Sequence, residues 1–189
     1  MIQMTDALPE KKNPESSDRS SRAFLLAVFS PIVALLVVTI IVAVTYVSSN
    51  SVSEYEKQAI EVISMQNAIT EQWNQTVDMF NGSYVTSQRE HVKLFTASLI
   101  AVHDLITDSQ AVINQWVEID APNKHLSSYQ LGLQALMAMQ DGLILFEVYF
   151  QNSIDTLVAD QFLAHDASAK LVYAAELWQA AADEAAKEG

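Results

Sequence analysis

Ala23 to Val47, AFLLAVFSPIVALLVVTIIVAVTYV, is an unbroken apolar run of 25 residues without a charge. A helix of that length reaches ~37 Å at ~1.5 Å per residue, enough to cross a ~30 Å hydrocarbon layer with some tilt. Residues 23–48 are therefore expected to form a transmembrane helix, kinked at Pro31 and ending at the interfacial ring of Tyr46. Residues 1–22 hold two prolines and show no apolar periodicity. They read as a disordered tail, because such a segment buries too little surface to offset its ordering entropy. The charge-free run is too long, and its charged lead-in too extended, for a cleaved secretory signal.

From residue 49 to 189 the pattern changes to steps of three and four. The first run carries Val62, Met65, Ile69, Trp73, Val77 and Phe80, and Asn81-Gly82 is expected to end it with a residue able to take positive φ. The second runs from Leu94 through Phe95, Leu99, Val102, Leu105 and Val112 to Trp116, and stops at Asp120-Ala121-Pro122. A third, from about Asn123 to Phe162, includes Leu126, Leu133, Leu136, Met137, Leu143, Phe146 and Phe150. A fourth begins near Asp166 and holds Leu171, Val172, Ala175, Trp178 and Ala182. No stretch alternates like a half-buried strand. The fold predicted is all-α: an N-terminal membrane helix followed by an antiparallel four-helix bundle, a rod ~45 Å long if its helices approach 30 residues. Leu131–Phe150 is apolar enough to compete as a second span. Its Asp141 would cost ~3 kcal/mol at a bilayer centre, so it is read as a bundle helix.

Charge gives this plan a direction. Four Lys/Arg precede the apolar run, and only Lys57 follows it within 20 residues. The positive-inside bias places the amino terminus in the cytoplasm and the bundle outside it, in the periplasm, cell exterior or a lumen. The net charge is −13, and all of it lies beyond the run, where 19 acids face 6 bases. That balance argues against nucleic acid as a partner, and it would steer a basic extracytoplasmic protein.

Candidate chemistry is sparse. The chain has no cysteine, which removes disulfides, thiolate metal sites and thiol nucleophiles. Its histidines are His91, His103, His125 and His165. None follows an acid at the three-residue spacing of carboxylate metal bundles, and no two lie three or four residues apart. His103 with Met137 or Met139 offers a His–Met pair of the kind that holds haem, but methionines on an apolar face read as core. Glu90-His91, His103-Asp104 and His165-Asp166 are neighbours in sequence, but neighbours in a helix point about 100° apart. Gly-x-Ser-x-Gly and glycine-rich phosphate loops are absent. No enzyme activity, cofactor or metal is expected. Asn74 and Asn81 each open an N-glycosylation pattern.

Two sets of residues read as contact surfaces. Ala23, Ala27, Ser30 and Ala34 form a small-residue stripe on one face of the membrane helix, and such stripes let membrane helices pack closely. Trp73, Trp116 and Trp178 fall in three different helices, as core or as partner-facing anchors. The function expected is that of a non-catalytic, single-pass accessory or structural subunit. It would dock onto other membrane protein subunits of a larger complex, a respiratory or photosynthetic assembly being a natural host. In layout, residues 23–189 also resemble chemoreceptor and sensor-kinase input domains, which implies an extracytoplasmic sensory or ligand-binding bundle. The chain departs from that layout in having no second span or cytoplasmic output domain, so a sensor would act through a separate signalling partner.

Overall fold

A computed structural model describes residues 53–83 and 85–188. The expected tail, the apolar run and the stripe of Ala23, Ala27, Ser30 and Ala34 lie outside the described residues. Four helices make up nearly all of the rest: α1 (Glu54–Gly82), α2 (Gln88–Glu118), α3 (Leu126–Thr156) and α4 (Gln161–Glu188). A 3-10 turn, Asn123–His125, leads into α3, and no strand occurs among the described residues. The helices are 29, 31, 31 and 28 residues long, so each spans ~42–46 Å.

Local chemistry sets where they begin. Ser53 and Glu56 form a reciprocal capping box, with Ser53 Oγ accepting from the Glu56 N–H and Glu56 Oε2 accepting from the Ser53 N–H. The backbone N–H of Ser53 and then its hydroxyl hold the Glu56 carboxyl below the usual range. At α2, Ser87 Oγ accepts from the Glu90 N–H, while Glu90 Oε2 accepts from the hydroxyl and N–H of Thr86 at 2.7 and 2.8 Å. Those bonds lower the Glu90 carboxyl too, the hydroxyl more than the amide. Asp160 caps α4 by accepting from the N–H groups of Phe162 and Leu163 at 3.0 and 3.1 Å.

Two boundaries differ from the sequence expectation. Gly82 does not stop α1 through positive φ; it stays helical as the last residue, and Ser83 terminates the helix with an extended backbone. The third run does not reach Phe162. It breaks after Thr156, where Leu157 takes a left-handed conformation at φ 57° and ψ 22°, and α4 starts at Gln161. Apolar spacing continues across that break, so periodicity could not reveal it; Asp160, three residues before Leu163, was the readable signal.

The paired contacts give the topology. His91 meets Ser153, His103 meets Glu147 and Gln110 meets Gln140, so α2 and α3 are antiparallel. Asp141 meets Lys170 and Ser128 meets Glu188, so α3 and α4 are antiparallel. Gln66–Met139, Trp73–Phe146 and Phe80–Phe150 advance together, so α1 runs parallel to α3 on the diagonal. Ala135, Leu136, Leu143, Phe146 and Phe150 of α3 are completely buried beneath the other helices. The segment Asn123–Thr156 is also the one described helix long and apolar enough to cross a membrane by length and composition. Only 44% of its most apolar window is buried, so part of its apolar surface faces outward.

Two glycines permit the tight approach of α3 to its neighbours. A Cβ at Gly142 would lie 2.7 Å from Leu171 Cδ2 and 3.2 Å from the Ala167 carbonyl oxygen. A Cβ at Gly132 would lie 2.6 Å from the Trp116 indole. Replacing Gly142 by Ala is expected to lower stability by about 1–3 kcal/mol, since Leu171 is buried and the backbone of α4 would have to shift. Gly82→Ala meets nothing within 4 Å and should leave stability unchanged or raise it by up to ~1 kcal/mol. Urea unfolding of the full chain, followed by circular dichroism, compares the two. In the same assay Leu157→Gly should gain about 0.5–1 kcal/mol, because glycine removes the Cβ clash of the left-handed conformation. A loss would mean that the Leu157 side chain, 41% exposed, contributes more by packing than its backbone costs.

Candidate functional site

The three tryptophans are all buried, Trp73 at 1% and Trp116 and Trp178 at 3% exposure. Trp73 sits at mid-height against Phe146, with ring centroids 4.7 Å apart. Trp116 and Trp178 meet edge to face at 5.7 Å, and Trp116 also stacks on Tyr129 and donates to its carbonyl oxygen at 3.1 Å. No indole row is presented to solvent. The exposed apolar side chains are different ones, and Leu126 and Met137, which the helical spacing assigns to the apolar face of the third run, are among them at 43% and 53% exposure.

At the end of the bundle that holds this aromatic pair, three distant parts of the chain converge. His125 is 3% exposed and stacks on Tyr55 of α1 at 5.0 Å. Its Nδ1 lies 3.3 Å from Glu188 Oε2 at the far end of α4. The Ser128 hydroxyl donates to the same carboxylate oxygen at 2.6 Å, and the Ser128 N–H donates to Oε1 at 3.4 Å. The residue types match a nucleophilic triad, but the connectivity does not. A nucleophilic serine must pass its proton to an imidazole nitrogen, which the acid in turn orients. Here the hydroxyl faces the carboxylate, and His125 Nε2 is buried without a hydrogen-bond partner. The space bordered by Tyr55, Trp116, Ser128 and Trp178 is about 20 Å³, room for one water and no substrate. The cluster joins the start of α1, the turn before α3 and the end of α4. It is a structural clamp.

His91 and His103 also reach across helices rather than to the acids beside them. His91 Nε2 lies 3.1 Å from the Ser153 carbonyl oxygen, and its ring stacks on Phe95 at 4.1 Å. His103 Nδ1 lies 2.8 Å from Glu147 Oε1, on the outer face shared by α2 and α3. The His103–methionine pairings are not brought together. Met139 points inward and accepts a hydrogen bond from Gln66, whereas Met137 is exposed about ten residues, or ~15 Å, along α3 from Glu147. Among the described residues no group of three His, Asp or Glu is arranged to hold a metal. The side-chain nitrogen of Asn74 is buried, which closes that glycosylation pattern in the folded bundle; Asn81 is exposed.

Exposed apolar side chains stand at the α3–α4 turn, where Phe162 is 84% and Val158 65% exposed, and along the outer face between α2 and α3. Ile100 is 58% exposed, Val117 57%, Met137 53%, Val148 42% and Ile144 40%. Two depressions follow each other along this face. One, of about 490 Å³, is floored by Leu99, Ile100 and Val148. The other, of about 540 Å³, is floored by Ile106, Ala111 and Ile144. Asp104 and Glu147 line the first, and no lysine or arginine lines either. Helical periodicity pointed to the core faces but could not show this one, because a groove exists only once α2 and α3 are set in register.

Comparison with protein-family models, with curated proteins and with solved structures finds no match to this chain.

Removing the clamp carboxylate should be costly. Glu188→Ala leaves His125 Nδ1 and the Ser128 N–H without their partner, the Ser128 hydroxyl keeping the His125 carbonyl oxygen at 3.0 Å, and is expected to destabilise by about 1–3 kcal/mol. Glu147→Ala removes the 2.8 Å partner of a histidine whose side chain is 69% exposed, and should cost less than ~1 kcal/mol. Denaturant unfolding checks the ranking, and hydrogen exchange at Leu126 to Tyr129 should rise only in the first variant.

Proposed function

We propose that this chain is a non-catalytic, single-pass accessory subunit of a larger membrane protein complex. Residues 23–48 anchor it, the tail 1–22 stays in the cytoplasm, and the acidic bundle stands on the extracytoplasmic side. The observation that carries the reading is the distribution of apolar surface. The interior of the bundle is filled, and Ile100, Ile144 and Val148, all large and exposed, line two successive depressions on the α2/α3 face. Contiguous exposed apolar surface of this kind marks a contact site. The charge-free run supplies the anchor, the four bases before it set the orientation, and Ala23, Ala27, Ser30 and Ala34 supply a close-packing face within the bilayer. Since α1 begins a few residues after that run, the Tyr55–His125–Glu188 end lies toward the membrane and the α1–α2 and α3–α4 turns lie away from it.

The test is co-purification. Replacing Ala27 and Ala34 together by Leu should release the chain from its partner subunits in mild detergent, while resistance to carbonate extraction is unchanged. Mass spectrometry of the tagged chain pulled from native membranes reads the result. Unchanged co-purification by the double variant would defeat docking through the membrane helix.

A further inference from the structure

We infer that the groove between α2 and α3 is a docking site for a basic amphipathic helix of a partner protein. The inference rests on the accessory-subunit reading and names the kind of segment that would bind the bundle. The two depressions run end to end from Leu99 to Asn114 on α2, and from Asn152 back to Gln140 on α3. Sixteen residues of α2 at ~1.5 Å each give a trough ~22 Å long, the length of about four helical turns. Its floor is aliphatic, formed by Leu99, Ile100, Ile106, Ala111, Ile144 and Val148.

Geometry and charge select the occupant. An extended peptide laid on this floor would leave its backbone N–H and C=O groups without partners, because no strand edge exists among the described residues to receive them. A helix satisfies those groups internally and can seat side chains at i, i+3, i+4 and i+7 between the two flanking helices. Asp104 and Glu147 stand at the rim, no lysine or arginine lines the trough, and acids outnumber bases 19 to 6 beyond residue 48. Lysines or arginines flanking the apolar stripe of the incoming helix match that field. A second copy of this chain would set like-charged rims against each other. Hydrocarbon would have to cover the His103–Glu147 and Gln110–Gln140 pairs that cross the trough, with no partner for their remaining polar atoms.

The experiment uses the full chain in zwitterionic nanodiscs and a helical peptide of about fifteen residues built from leucine and lysine, with a photoreactive group on its apolar stripe. Crosslinks are expected on residues 99–114 and 140–152, and they should weaken as salt is raised. Ile100→Asp with Val148→Asp should reduce them at least roughly tenfold, as loss of a central apolar contact does. Asp104→Lys, an exposed change, should also reduce them, and Glu71→Lys on α1 should not. A matching leucine–glutamate peptide should fail to crosslink. Crosslinks outside the trough, or indifference to the double variant in chain of normal helicity, would overturn the proposal. So would self-association abolished by that variant, or capture of a photoactivatable phosphatidylcholine by Ile144 or Val148, which would assign the trough to a second copy or to lipid. Loss of the trough result with the Ala27/Ala34 result intact would reject this site alone. Loss of both would reject the subunit reading.

Discussion

Leucines, alanines, aromatics and two glycines leave α3 with apolar surface on nearly every side, and most of that surface must be removed from water for the chain to fold. At ~25 cal/mol per Å² the burial of Leu136, Leu143, Phe146 and Phe150 outweighs any other local preference in the bundle. The other three helices take their positions from it. Helix α4 comes closest, because Gly142 offers no side chain to Leu171 and the Ala167 backbone. On the diagonal, α1 delivers Trp73 and Phe80 to Phe146 and Phe150. Helix α2 covers a third side and leaves an uncovered strip beside it, which is the α2/α3 trough. The same helix satisfies a membrane-span criterion for the same reason: a helix made to be surrounded by protein has nearly the composition of one made to be surrounded by lipid.

Inside that apolar packing a few polar groups remain at mid-height. Gln66 is fully buried and gives its amide to the Met139 sulfur, while its Oε1 has no hydrogen-bond partner. Ser98 and Ser109 of α2 are also fully buried with unpartnered hydroxyls. Such groups cost stability, but a buried polar side chain that finds a partner in only one alignment penalises slipped ones. Gln66 reaching Met139 fixes how far α1 advances along α3.

Much of the fold was legible in the residues, and the parts that were not share one physical cause. The four helical runs, the proline stop before α3 and the absence of strands follow from spacing and backbone chemistry, which are local. Gly82 was misread because a glycine permits positive φ without requiring it. The Leu157 break was invisible because a leucine seldom takes the left-handed conformation; tertiary packing on both sides imposes it. The histidines show the same limit at the level of contacts. His103 pairs with Glu147, 44 positions away, rather than with Asp104 beside it, and no local rule foretells a cross-helix partner. The trough is likewise a product of two helices in register, and the small-residue positions Ala23, Ala27, Ser30 and Ala34 lie outside the described residues.

The up-down-up-down path returns the end of α4 to the place where α1 begins, and this has a mechanical consequence. Tension arriving through the residues before Ser53 is met first by the opening turn of α1. The Tyr55 ring on His125, with His125 held by Glu188, is the first fastener in that load path. A pull on α1 is thereby passed to the turn before α3 and to the end of α4 at the very end where it enters.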